Sequence, residues 1–395
     1  MMSCLIRCLR RFSGIGFLAL ASAVMAAEPV RIGLDLEISD KTSTSDDAVK
    51  LGVSEAVADI NRRGGVLSGR PLEIVIKDNR SVPVRGVENL REFAGMSDVV
   101  AVIGGKFSPV LLEQTRILPD LQIPLLDPWA AADGIIRNGQ KPSWAFRLSL
   151  SDSMAVEAVL RHARSRGLKK LGILLPNIAW GRSNKEALDA LAPKIGIEVV
   201  AVEWYNWGGN ANMQQRYQAL RQAGAQAVFL IANEREGSEF VRDVASLPVA
   251  QHLPVISHWG VTGGDFFRMC GEDLQRLDFV IVQTFSFGQP RNEKARQLAQ
   301  KAQALFAVEY MESIPSAVGI GQAYDLTQIL AMAINQAQST DRHAIRHALE
   351  NLGAYNGVVK AFKRPFSVDV HEALQVSDLF FARYHADGRL SRLAH

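Results

Sequence analysis

The chain has 395 residues, 48% hydrophobic and 22% charged, with 44 basic against 41 acidic side chains. This composition excludes long disorder and collagen-like repeats, and the length suits two domains that each bury a core. Three cysteines exclude a disulfide-stapled scaffold or a Cys-rich zinc protein, and a formal charge of +3 gives no support for a nucleic-acid partner.

Residues 1–12 carry Arg7, Arg10 and Arg11 and no acid, and an apolar run follows from Phe12 to Ala27, ending in small residues before Glu28-Pro29. This is the pattern of a cleaved secretory signal, with cleavage expected after Ala26 or Ala27. The apolar run is shorter than the ~20 residues of a spanning helix; a retained anchor is the alternative. No Leu-x-x-Cys lipidation box precedes the expected mature start. Removing residues 1–27 leaves 41 bases, 41 acids and Cys270 as the one cysteine. Cys270 reads as a small buried hydrophobe rather than a nucleophile. No later apolar run approaches 18 residues, so the mature protein is expected to be soluble and periplasmic.

The mature chain alternates strand and helix. Val30, Ile32, Leu34 and Leu36 alternate as a strand; Val49, Val53, Ala56, Val57 and Ile60 follow helical spacing up to Gly64-Gly65. Leu72, Ile74 and Ile76 mark a strand, and Val87, Leu90, Phe93 and Ala94 a helix. The runs 99–103 and 123–126 read as buried parallel strands. A second series starts near residue 148, with strands at 171–175, 199–204, 227–232 and 255–257. Helices are expected between them at 154–166, 183–191, 213–223 and 238–246, with Ser183 and Glu186 as a capping box. A helical block at 292–352 has too few strands for its own sheet.

The fold class predicted is α/β: two doubly wound parallel-sheet lobes joined by a three-segment hinge. Residues 28–147 with 285–354 are assigned to the N-terminal lobe, and 148–284 with 355–395 to the C-terminal lobe. A cleft lies between.

In open parallel sheets, ligands sit beyond the carboxyl ends of the strands, so those loops are the candidate site. After the strand ending at Ile103 comes Gly104-Gly105-Lys106-Phe107-Ser108-Pro109 and then a helix. Ser108 as cap and Pro109 in the first turn would leave free N–H groups facing the cleft, an anion site with Lys106 adding charge. An ordinary capped helix with a solvated lysine is the alternative. Trp129, Trp180 and Trp259 fall in comparable loops and would line an aromatic cleft, joined by Phe107; filling gaps between helix and sheet is the other reading. Trp144, Trp204 and Trp207 have no comparable placement. Asn233, Glu234, Glu236, Asp35 and Glu37 follow strand ends and can meet a ligand ammonium, with solvated loop charge the more ordinary fate. His343 and His347 stand four apart on a helix, but no third metal ligand is near, and no metal or cofactor is predicted.

These loops carry recurrent motifs. Ile60-Asn61, Gly64-Gly65-Val66, Gly69-Arg70-Pro71-Leu72 and Asp78 are the most specific stretch. Ile103-Gly104-Gly105 with Ser108, Phe146-Arg147 with Ser151-Asp152, Ala323-Tyr324-Asp325 and His385-Ala386-Asp387-Gly388 follow. Over nearly all of the mature chain this resembles the type I periplasmic binding proteins, more narrowly the branched-chain amino-acid (Leu/Ile/Val) receptors of bacterial ABC transporters. The resemblance implies a hinge-closing, monomeric receptor that hands a small molecule to a membrane permease and does no covalent chemistry.

The amino-acid site implied by the family is altered. Its Ser-Pro-Ala-Ala-Thr segment reads Asp127-Pro128-Trp129-Ala130-Ala131, so Ala131 replaces a hydrogen-bonding threonine. Its serine after the third strand matches Ser108, or Pro109 by one place; its Tyr-Gly is Trp180-Gly181; its acidic partner for the ligand ammonium falls at or near Trp259. A tyrosine is replaced by Asn233 or Glu234, and the proline after strand one is Glu37. The expected ligand is therefore a small carboxylate, either an organic acid with an apolar or aromatic body or an amino-acid derivative. An enzyme is disfavoured because no Gly-x-Ser-x-Gly elbow, Walker loop or strand-linked Gly-x-Gly-x-x-Gly occurs. A sensor that docks on a membrane signalling partner is the alternative function.

Overall fold

A computed structural model describes residues 28–39, 43–208 and 211–394; the expected leader at 1–27 lies outside them. The first series is β1 (Val30–Leu36), α1 (Ser45–Arg62), β2 (Leu72–Asp78), α2 (Pro83–Gly95), β3 (Val99–Gly104), α3 (Ser108–Leu121), β4 (Leu125–Asp127) and β5 (Ala145–Arg147). The second begins with α4 (Asp152–Ser165), β6 (Lys170–Pro176), α5 (Ala179–Ile195), β7 (Glu198–Tyr205) and α6 (Met213–Gln222). It continues through β8 (Ala227–Leu230), α7 (Glu234–Ala245), β9 (Val255–Ser257), α8 (Phe266–Leu274) and β10 (Phe279–Gln283). Then come α9 (Glu293–Phe306), α10 (Ala317–Ala337), α11 (Arg342–Glu350), β11 (Tyr355–Asn356), β12 (Ala361–Phe362), β13 (Phe380–Tyr384) and β14 (Leu390–Arg392).

Among the described residues the first sheet has the order β2-β1-β3-β4-β5 and is parallel throughout. The second has the order β14-β13-β10-β9-β8-β6-β7, parallel from β10 to β7 and closed at the other edge by antiparallel β13 and β14. Helices cover both faces, so β3 is buried at every position, and β1 at every position except half-exposed Arg31. Gly33 in β1 lets the Phe93 ring lie on the sheet; a Cβ there would stand 2.9 Å from it.

The helical block packs on the first lobe through α10, which is buried nearly all round and has no water-facing side of any size. Gly52 in α1 lets α10 approach closely, since a Cβ at that position would strike the Ile320 carbonyl. Arg342 ties α11 to the first sheet, donating from Nε to the Val99 carbonyl at 3.0 Å and from Nη1 to Ala94 at 2.9 Å. The chain crosses between lobes after β5, after β10 and before β13.

The stretch 355–374, expected with the second lobe, lies against first-lobe residues. Tyr355 and the Val358 and Val359 amides donate to buried Asp325, each at 2.8 Å. Phe146 stacks on His371 at 4.0 Å and meets Phe366 at 5.1 Å. Arg147, fully buried, pairs with Glu372 and donates to the Ala132 carbonyl at 2.9 Å.

Several local expectations are corrected. Helix α3 starts at Ser108 with Phe107 as N-cap, so Ser108 does not cap it; its Oγ accepts from Ala132 N at 3.3 Å instead. Helix α5 starts at Ala179, four residues before Ser183, and no capping box forms there. Ser183 sits inside the helix and accepts from Asp133 N across the lobes at 3.1 Å. Strand β4 runs Leu125–Asp127 rather than 123–126.

Candidate functional site

The carboxyl ends of both sheets face one cavity. The first lobe supplies Ser45, Lys106, Phe107, Ser108, Trp129 and Ala131; the second supplies Trp180, Trp207, Asn233, Trp259 and Gly260. The cavity holds about 20 Å³, room for one water. Two aromatic pairs close it, each joining one lobe to the other. Trp129 meets Trp259 at 5.7 Å between centroids, and Phe107 stacks on Trp207 at 5.1 Å.

Trp129 is held by Asp127. This carboxylate ends β4, and its Oδ1 accepts from Trp129 N at 3.0 Å and Ala130 N at 2.8 Å. Burial pushes the Asp127 carboxyl up to about 7, against the pull of Arg147. The Asp-Pro step thus sets the direction of the loop, a positioning role that its place at a strand end signals. Ser149 fixes the same loop by donating to the Trp129 carbonyl at 2.9 Å.

The second wall is braced from behind by Asp152, fully buried at the first crossing. Its Oδ1 accepts from Trp180 Nε1 at 3.0 Å and Asn184 Nδ2 at 2.8 Å. Its backbone N–H donates to the Ala131 carbonyl at 2.7 Å, so one residue links the walls of both lobes. His258 Nε2 lies 3.6 Å from the same carboxylate, and its ring sits edge-on to Trp180 and Trp259. Trp180 stands in the first turn of α5 rather than in a loop.

Lys106 is less free than its place in the sequence suggests. Its backbone N–H donates to Asp46 Oδ1 at 2.8 Å, so that donor is spent inside the protein. Burial raises the Asp46 carboxyl to about 6, and burial likewise raises Glu234; the Lys106 charge opposes both shifts. One ammonium therefore acts at longer range on two buried acids, one from each lobe.

Eight of the ten candidate residues meet at this cavity. Ala130 and Glu234 do not line it. Ala130 turns into a core of Val110, Leu111 and Ile135, and Glu234 opens α7 at 8% exposure. Trp207, given no placement above, belongs to the wall; it follows the carboxyl end of β7, the rule that selected the other tryptophans. Ser45 and Gly260 were also missed. Gly260 is required by space: a Cβ would stand 2.8 Å from Asn233 Oδ1 and 2.9 Å from the Trp180 ring.

Asp35 is neither a ligand partner nor a solvated loop charge. It is fully buried, accepts from Asn89 at 2.7 Å and Gln114 at 2.6 Å, and burial raises it to about 7. Cys270 is buried, which pushes its thiol up to about 12. His343 faces Gln122 and Trp144. Among the described residues no group of three or more His, Cys, Asp or Glu is placed to hold a metal.

The lobes also touch outside the cavity. Thr44 N and Oγ1 donate to the Gly263 carbonyl at 2.8 and 3.0 Å, with Ser43 and Ser45 hydroxyls within reach of the same oxygen. Ser316 N donates to the Thr262 carbonyl at 3.0 Å.

Residues 29–389 match the family model described as periplasmic binding protein. The leucine-, isoleucine-, valine-, threonine- and alanine-binding protein of Pseudomonas aeruginosa is 24% identical over 341 residues, covering 86% of this chain and 87% of that protein. A type 1 periplasmic binding protein from Bordetella pertussis Tohama I superposes with TM-score 0.82 at 23% identity, over 93% of this chain and all of that one. A solute-binding protein of an R. palustris ABC transporter, solved with benzoate, gives TM-score 0.77 at 18% identity, over 92% of this chain and 95% of that one. The parallel-sheet lobes and this match agree with the resemblance read from the sequence: the chain belongs to the periplasmic binding protein family, with the type I fold of the branched-chain amino-acid receptors.

Proposed function

We propose that this chain is the periplasmic solute-binding component of an ABC transporter. It captures a small carboxylate with a flat apolar or aromatic body by closing two lobes, then delivers it to a membrane permease. It acts as a monomer and makes or breaks no covalent bond. The observation that carries this reading is the cavity itself, with a lysine and a serine on one wall and four aromatic rings paired across the lobes.

A flat ring needs ~3.5–4.0 Å of carbon contact on each side. The Trp129–Trp259 centroids, 5.7 Å apart, must therefore separate by a few ångströms to admit one. Opening the lobes provides that space, and closure wraps the ligand. A ligand that contacts both walls binds the closed state better and shifts the population toward it. Lys106 and Ser108 take the carboxylate, the tryptophans take the body, and Ala131 supplies no side-chain hydrogen bond where a threonine would.

An amino-acid-like ligand is the second reading. Asn233 favours it, because this side chain lines the cavity and its amide oxygen can accept from an ammonium group. One named relative binds leucine, isoleucine, valine, threonine and alanine and another was solved with benzoate, so both chemistries occur on this fold. Calorimetric titration with benzoate and with leucine separates them. The expected result is saturable one-to-one binding of the aromatic acid, tighter than leucine. Tight leucine binding with silence for the acid reverses the order.

A further inference from the structure

We infer that the hinge carries a second binding site, for a small amphipathic organic anion, whose occupancy changes the balance between open and closed lobes. A cavity of about 490 Å³ lies at the hinge, within the size range of small-molecule sites. Two of the three crossing segments form its walls: 284–291 on one side and 374–380 on another. The terminal strand β14 closes it from the second lobe, and Val359, Lys360 and Glu312 close it from the first.

Its floor is apolar, made by Phe285, Leu374, Phe380 and Leu390. Its charges do not cancel. Lys360 is matched by Asp378, both carboxylate oxygens lying 2.6 Å from Nζ, in a pair that itself spans the third crossing. Arg291 donates to the Gly357 carbonyl at 3.0 Å, and Arg392 lies over the Phe380 ring at 4.7 Å. Among the described residues neither guanidinium has a carboxylate in ion-pair contact; Arg291 acts on buried Asp325 only at longer range. Glu312 is the one acid lining the cavity that Lys360 does not pair. Two guanidiniums against one carboxylate, above an apolar floor, select an anion with an apolar body.

The site is coupled to the hinge because its walls belong to both lobes. A molecule touching Arg392 and Phe380 on one side and Val359 on the other cannot keep both contacts when the lobes rotate. Its affinity therefore differs between the two states, and occupancy shifts their populations. This inference is independent of which molecule the main cleft takes.

The probe is 8-anilinonaphthalene-1-sulfonate, read by fluorescence in a Lys106→Met background that removes the main cleft's cation. One saturable site per chain is expected, weakened at least 10-fold by adding Arg291→Ala and Arg392→Ala. Both arginines are surface side chains, so folding is not at stake. The state of the lobes is read from hydrogen exchange of the Thr44 amide, which bonds across them to Gly263. Its protection should change at least 3-fold on saturation with the probe. No saturable binding, or binding that the two arginine substitutions leave unchanged, overturns the site. Unchanged Thr44 protection on saturation overturns the coupling.

Discussion

The two walls of the cleft are built on different principles. The first-lobe wall combines a cation with aromatic surface: Lys106 stands beside Phe107 and Trp129, and Asp127 fixes the Trp129 loop through backbone amides. The second-lobe wall holds aromatic surface: Trp180, Trp207 and Trp259, with Asp152 and His258 behind them. The difference teaches how such a cleft divides labour. On the proposed reading, the first-wall cation meets one end of the ligand while the lobes are apart, and the rings of the second wall gain their contacts only on closure.

Substitutions on the two walls should therefore fail differently. The largest effect is expected for Trp259→Ala, since this indole is 1% exposed. It should cost about 3–5 kcal/mol of stability, seen in chemical unfolding, and should abolish measurable ligand binding. Retained stability would show that the aromatic wall is a lining rather than part of the core.

Lys106→Met should act on binding more than on folding. A carboxylate ligand should lose ~1.5–3 kcal/mol of affinity by calorimetry, the range for a charged hydrogen bond. Because Lys106 also favours ionised Asp46, whose carboxyl titrates at about 6, the variant should lose stability at pH 8 and regain it near pH 5, where Asp46 takes up a proton. Unchanged affinity would remove Lys106 from the site.

Asp152→Ala leaves the indole N–H of Trp180 without its acceptor and the Asn184 amide with the Trp180 carbonyl alone, at a cost of ~1–3 kcal/mol. Asp152→Asn keeps an acceptor oxygen and should restore most of that stability and the wild-type ligand preference. Failure of the Asn variant to do so would mean that the charge, not the hydrogen bond, braces the wall.

The last effect is one of pH dependence and concerns Asp35, away from both walls. Burial raises its folded pKa to about 7, against hydrogen bonds from the neutral Asn89 and Gln114 side chains. The folded state thus holds a proton that the unfolded chain has released, and its contribution to stability falls as pH rises from about 4 toward 7. The slope is at most ~1.4 kcal/mol per pH unit. Asp35→Asn should flatten the decline in melting temperature between pH 5 and 8, and an unchanged slope would place its source elsewhere.

The frame of the fold was readable because buried parallel strands leave apolar runs, as in β3, and because Gly64-Gly65 marks the end of α1. Strand ends then pointed to the loops, which is why Lys106, Trp129 and Trp259 could be named without coordinates. What stayed hidden depends on contacts between distant residues. Ser108 and Ser183 look like helix caps by local pattern, yet each accepts from a backbone amide far away in the sequence, Ala132 and Asp133. Asp35 and Glu234 look like loop charges, but burial is a tertiary property that no short window carries. Trp207 was legible by the strand-end rule applied to β7. The departure of 355–374 toward the first lobe follows from Asp325 and Phe146, partners that sequence spacing does not announce.

The most direct test of the central claim is native mass spectrometry of the protein purified from the periplasm of cells that make it, followed by identification of whatever it retains. The account predicts one bound carboxylate per chain, with a flat apolar or aromatic body, released intact on denaturation. Retention of an uncharged sugar or a cation in its place, or recovery of a chemically converted product, would contradict it.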